Sequence, residues 1–143
     1  MSVIEITKEF IEELITLIDI QEEKELLPVL EKLYPADIAE LFDDLNLDQA
    51  VYIAALLEPQ KKVDVLTELE DNVKLKFLAG YTNKEIAHDF FAFIESDDAA
   101  DILNAMESSQ GKEILRTISD KEHSKNIASL LKFPENTAGS LMA

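Results

Sequence analysis

An apolar pattern recurs about every twelve residues along most of this chain, with hardly a loop between its copies. Eight-residue windows begin at Ile38, Ala50, Lys62, Lys74, Ile86, Ala99, Gly111 and Ser124, in steps of 12, 12, 12, 12, 13, 12 and 13. Their fifth positions are Phe42, Ala54, Leu66, Leu78, Phe90, Leu103, Leu115 and Ala128. Their eighth positions are Leu45, Leu57, Leu69, Tyr81, Phe93, Met106, Ile118 and Leu131. All sixteen are apolar, in a chain that is 47% hydrophobic overall. At the fourth position only Asp89 departs from Leu41, Ile53, Val65, Phe77, Ile102, Ile114 and Ile127.

Positions four, five and eight share one face of an α-helix, so each window predicts an amphipathic helix of about two turns. A helix that short does not persist alone, because nucleation costs more than two turns return. It must bury its stripe against its neighbours, and a linear array of such units stacks into a solenoid-like superhelix. The links agree with this. Pro59 suits a first helical residue. Thr82-Asn83-Lys84-Glu85 and Ser119-Asp120-Lys121-Glu122 read as capping boxes. Asp48, Asn72, Ser96 and Ser108 or Ser109 read as N-caps. With only three glycines, Gly80, Gly111 and Gly139, most helix ends cannot use a left-handed glycine and must rely on side chains. Before the repeats, Ile6, Phe10, Ile11, Leu14, Ile15, Leu17 and Ile18 predict a longer helix. Leu26, Leu27, Val29, Leu30 and Leu33 predict another, with Pro28 near its first turn. Nothing alternates with period two, so the fold class is all-α without a sheet.

Charge narrows the partners. Thirteen basic against thirty acidic residues give a net charge of −17, which disfavours nucleic acid and anionic lipid and favours cations or a basic protein surface. The longest apolar run, Ala50 to Leu57, is far short of the roughly 20 residues that span a bilayer. The opening Met1-Ser2-Val3-Ile4-Glu5 lacks the positive region of a secretory signal. Without cysteine there is neither disulfide nor thiolate metal site.

The chain offers little to an enzyme. It has two histidines, His88 and His123, without H-x-x-x-H spacing, and both read as surface or edge residues. No nucleophile–base arrangement and no phosphate-cradling glycine loop is present in the sequence. The acids are more informative. Glu95-Ser96-Asp97-Asp98-Ala99-Ala100-Asp101 places Asp97 and Asp101 at i and i+4 on one helical face, where like charges repel unless a cation lies near. Hard divalent cations take carboxylate oxygens, although two carboxylates do not complete a site. The plainer reading is an acidic first turn stabilised by the helix dipole. Asp43-Asp44 and Glu12-Glu13 read as solvated faces.

Three stretches, in order, resemble one family. Leu33-Tyr34-Pro35-Ala36-Asp37-Ile38-Ala39-Glu40-Leu41 is similar to the H-P-A-D-I-A-E-L opening of the MgtE-type magnesium transporter N-terminal domain. Asp97-Asp98-Ala99-Ala100-Asp101-Ile102-Leu103 is similar to its D-D-A-A-D-L-L segment. Phe133-Pro134-Glu135-Asn136-Thr137-Ala138-Gly139-Ser140-Leu141-Met142 resembles the Y-P-E-D-T-A-G-G-L-M junction that leads into a pair of CBS domains. The resemblance implies a right-handed superhelix over residues 1–132, with the repeats at 38–131 and a junction at 133–143. It implies a cytosolic domain on the inner face of the bacterial plasma membrane, followed by CBS domains and a transmembrane pore in a homodimeric protein. It also implies that Mg²⁺ bridges acids of this domain and the CBS domains and so controls the pore. Asp97 and Asp101 match the acidic pair that faces the CBS domains, and Gly139 a junction glycine whose carbonyl serves the same site. Tyr34 replaces the family's usual His, and Ser140 its second Gly. The chain ends at Ala143, in mid-motif, as expected of a piece of a longer protein. The competing expectation is an acidic helical-repeat scaffold that binds a protein partner without metal.

Overall fold

The computed structural model describes residues 7–131, and every element among them is helical. The chain divides into two compact units, Met1–Gly80 and Tyr81–Ala143. In unit 1, α1 (Lys8–Asp19) and α2 (Glu23–Lys32) precede α3 (Pro35–Leu41). A 3₁₀ turn at Phe42–Asp44 then leads to α4 (Leu47–Ala55), α5 (Pro59–Glu68) and α6 (Asp71–Leu78). In unit 2, α7 (Asn83–Glu85) runs directly into a π-helical segment, Ile86–Phe91. After it come α8 (Ser96–Ala105), α9 (Ser108–Thr117) and α10 (Lys121–Leu130). Of the two helices before the repeats only α1 is longer, at 12 residues; α2 has the same 10 residues as α5.

Each eight-residue window falls on the second half of a helix and the residue that ends it. All seven apolar fourth positions are buried, from Leu41 to Ile127. The eighth positions often close the helix. Leu45, Leu69, Met106, Ile118 and Leu131 leave it in extended conformation, four of them bonding back three residues, as Leu69 N–H does to the Leu66 carbonyl at 3.2 Å. An apolar residue that turns out of the helix while still packing inward does the work that a left-handed glycine does elsewhere. The left-handed region is occupied by Gln21 alone among the described residues (φ 56°), at the end of α1.

Side chains from later helices cover the remaining carbonyls. Lys61 Nζ donates to the Leu30 carbonyl at the end of α2 (2.7 Å). Lys121 Nζ reaches the Arg116 and Ile118 carbonyls at the end of α9 (3.2 Å each). Ser124 Oγ donates to the Leu115 carbonyl (2.8 Å). Cationic donors at helix C-termini also complement the macrodipole.

At helix starts, Pro59 opens α5 and Thr82 forms its capping box with Glu85, both as the sequence predicts. Other caps lie elsewhere. Asn46, not Asp48, caps α4; Asp120, not Ser119, caps α10. Glu70, Glu95 and Glu107 occupy the N-cap positions expected for Asn72, Ser96 and Ser108. α6 and α9 start early because the extended apolar residue ending the previous helix, Leu69 or Met106, leaves room for only one linking glutamate; before α8, Glu95 follows Ala92, Phe93 and Ile94 at the end of the π segment. In each case the glutamate's charge favours the positive end of the dipole.

Inside each unit, helices pack on the next but one: α3 on α5 and α4 on α6 in unit 1, α7 on α9 and α8 on α10 in unit 2. Gly111 in α9 lies against Leu103, where an added Cβ would meet the Leu103 side chain at 3.6 Å, an ordinary contact. Gly111→Ala is therefore expected to raise the unfolding free energy by about 0.5–1 kcal/mol, because alanine loses less backbone entropy in a helix and fits here. Urea denaturation checks this.

The 13-residue step after Ile86 has a structural cause. A π-helical turn accommodates one extra residue in a helix, and here it brings both Phe90 and Phe91 to zero exposure. The extra residue also rotates the end of the segment. Phe93, the expected core residue of that window, is 44% exposed, and Ile94 is buried instead at 3%. His123 Nε2 lies 2.8 Å from the Phe91 carbonyl. A carbonyl only accepts, so this nitrogen carries a hydrogen. His123 is thus a half-buried edge residue that holds the end of the π segment, and His88 is an exposed surface residue, within the surface-or-edge expectation for both.

Tyr81 packs edge-on against Phe90, with centroids 5.0 Å apart at 78°. Burial pushes its phenol well above the ordinary tyrosine range, and the charges of Asp89 and Glu85 push the same way. The folded state therefore holds this proton where the unfolded chain releases it, so stability is complete below about pH 10, the ordinary tyrosine value, and falls as pH rises beyond it. Thermal melts across this alkaline range should show a smaller loss for Tyr81→Phe than for the native chain.

Candidate functional site

The sequence singles out Asp97 and Asp101, and the structure sets both on α8. This helix is firmly seated. Ala99 and Leu103 are fully buried, and Ala100 and Ile102 are 3% exposed. Glu95 takes the N-cap position in extended conformation and Ser96 is the first helical residue. Asp97, Asp98 and Asp101 all lie on the exposed side. In helical geometry Asp97 and Asp101 are one turn apart, with Cβ atoms about 5–6 Å from each other. Asp98 and Asp101, spaced i and i+3, are neighbours by the same rule.

Three carboxylates thus crowd the exposed side of α8, and the helix itself contains no basic residue. Among the described residues, none of the three is held in a hydrogen bond or ion pair, unlike Asp71 of unit 1, which pairs with Lys74 at 3.6 Å. The dipole of α8 favours the two aspartates in its first turn but does little for Asp101, which lies beyond it. The net result is a solvated patch of negative charge on a fixed scaffold.

Its fit to a hard divalent cation is partial. Exposed carboxylates with their lone pairs free match the oxygen chemistry of Mg²⁺, which keeps several waters and commonly takes one or two protein carboxylates. No group of three or more His, Asp or Glu side chains among the described residues could hold a metal ion together. Two such carboxylates could supply only part of a divalent-cation site, the remaining ligands coming from water or another segment. Gly139, the third residue assigned to this site, lies outside the described residues, as does the Phe133–Met142 junction motif. Tyr34, where the family usually has His, is 57% exposed on unit 1, and its backbone N–H donates to Asp37 Oδ2 at 3.1 Å.

One acidic feature is more than the solvated face that sequence reading assigned. Asp43 shares a cleft with Glu40, Glu68 and Glu70, brought together by the packing of α3 on α5. Residues so far apart in the chain give no local signal of this cluster.

No helix among the described residues is long and apolar enough to cross a membrane. Among known families, the sequence pattern of the MgtE intracellular N domain matches residues 33–136. No curated protein matches the chain.

Proposed function

The chain belongs to the family of MgtE intracellular N domains, the regulatory N-terminal part of a magnesium transporter, and from that premise we propose that it senses Mg²⁺ through Asp97 and Asp101. The observation that carries this reading is the exposed, unneutralised aspartate pair on a helix whose other face is locked in the core. A rigid pair of like charges is poised to respond to a cation, because α8 carries no basic residue of its own.

Bound there, a divalent cation cancels the repulsion between the carboxylates and lends its open coordination positions to ligands from a second surface. Asp97 and Asp101 supply oxygens from α8; the Gly139 carbonyl is assigned to the same site. The second surface in this reading is a pair of CBS domains on the membrane's cytoplasmic side, in the same full-length, homodimeric protein, with a transmembrane pore beyond them. The state in which both surfaces share the ion is favoured in proportion to its greater affinity, and the pore follows that population. A right-handed superhelix is part of the same reading, supported by the pairing of alternate helices inside each unit. Such a stack holds α8 rigid against the partner.

Titration of Mg²⁺ into the chain at constant ionic strength, followed by thermal unfolding, tests this. A saturable rise in the midpoint is expected, since a ligand that binds only the folded state stabilises it by mass action. A midpoint unchanged by Mg²⁺, or one that rises equally with NaCl, would instead favour an acidic scaffold for a protein partner.

A further inference from the structure

Unit 1 carries an open apolar groove of about 500 Å³ between α4 and α6, well away in sequence from α8. Phe42 and Phe77, their rings tilted at 48° with centroids 5.2 Å apart, line it. Leu45, Leu47, Ala50 and Val73 complete its apolar lining. The groove follows from the packing. At Gly80 the end of α6 approaches α4 so closely that a Cβ would lie 3.0 Å from Val51 Cγ2 and 3.3 Å from Leu47 Cδ1. Alongside this contact the small side chains of Ala50 and Ala79 leave the space between the helices open. Leu47 stands at the groove, 41% exposed.

The groove's surroundings are charged with one sign. Asp43 and Val73 line both the groove and the adjoining cleft that holds Glu40, Glu68 and Glu70. All four carboxylates are exposed, and Lys76 is the cation that lines the groove. An apolar trough between two helices, flanked on one side by acids, has the form that accepts the apolar face of a further helix. The acids select what flanks that face.

We infer that this groove docks an amphipathic basic helix of a partner protein. The apolar stripe of that helix lies over Phe42 and Phe77, and its Lys or Arg residues, one turn to the side, meet Asp43, Glu40, Glu68 and Glu70. The chemistry disfavours two other occupants. A second copy of this chain brings a charge of −17 to an acidic rim. The chain's own Met1–Ile6 offers apolar side chains but no Lys or Arg. The inference does not depend on the Mg²⁺ reading, and its test runs in a chelating buffer.

The probe is a fluorescent synthetic helix with Leu at i, i+3, i+4 and i+7 and Lys on its flanks. One control shuffles the same residues around the helix, and a second replaces Lys with Glu. Fluorescence anisotropy with the full chain should give saturable binding of the probe, with both controls weaker by about tenfold or more, because removing either the leucine burial or the charge match forfeits at least that much. Leu47→Glu should weaken the probe to a similar degree. Glu40→Gln with Asp43→Asn should weaken it mainly at low salt. Circular dichroism of both variants verifies that they remain folded. Equal binding of probe and shuffled control, or indifference to Leu47→Glu, would overturn the inference. So would sedimentation of the chain as a dimer that Leu47→Glu dissociates, or probe binding that appears only after residues 1–6 are removed.

Discussion

Phe90→Ala is expected to lower the unfolding free energy by about 3–5 kcal/mol, whereas Phe93→Ala, three residues on, should change it by about 1 kcal/mol or less. The first truncates a side chain with no exposed surface and removes the ring against which Tyr81 packs. Loss of transfer free energy, the cavity left behind and the aromatic pair all add to that cost. The second removes a ring that is 44% exposed, so less apolar area returns to water. Guanidinium denaturation of the two variants measures the contrast. It also tests the π-helical segment itself, because the repeat pattern places both rings in the core and only the extra residue in that turn separates them.

The second large effect is functional. Asp97→Asn with Asp101→Asn should remove the stabilisation that Mg²⁺ confers, about 2.7 kcal/mol at a free concentration one hundred times the dissociation constant. Without Mg²⁺ the same double variant should differ from the native chain by only a few tenths of a kcal/mol, since relief of the repulsion between like charges one turn apart and loss of the favourable interaction of Asp97 with the helix dipole oppose each other. A large loss in Mg²⁺ beside a near-zero change without it separates loss of ion binding from damage to α8. Chemical denaturation with and without saturating Mg²⁺ gives both values. A substitution that merely loosened the helix would lower stability in each condition.

The helix array was legible in the sequence because each short helix must bury the same three slots, and the seven apolar fourth positions mark its core from Leu41 to Ile127. The 13-residue step was visible too, but a gap in a period does not say whether a loop lengthens or a helix bulges. Only the structure shows the π turn and the exchange of Phe93 for Ile94. Helix starts were read less well. Glutamate is not a favoured capping residue, so Glu70, Glu95 and Glu107 gave no signal, and nearby Asn72, Ser96 and Ser108 drew the assignment.

Side-chain pairing across helices was illegible for a general reason. Lys61 reaching Leu30, or His123 reaching Phe91, depends on which helices become neighbours. At the candidate site the spacing of Asp97 and Asp101 and their common face were readable from helical period alone. What the sequence could not reveal was that, among the described residues, no ion pair engages either of them. The acids around the Phe42–Phe77 groove show the converse, a cluster assembled only by packing.

Backbone amide chemical shifts of the isotope-labelled chain, followed as Mg²⁺ is added, test the central claim most directly. Saturable changes concentrated at residues 95–102, and absent from the double asparagine variant, are the expected result. Shifts that saturate elsewhere, or a small drift spread evenly over the acidic surface, would contradict Mg²⁺ sensing through Asp97 and Asp101.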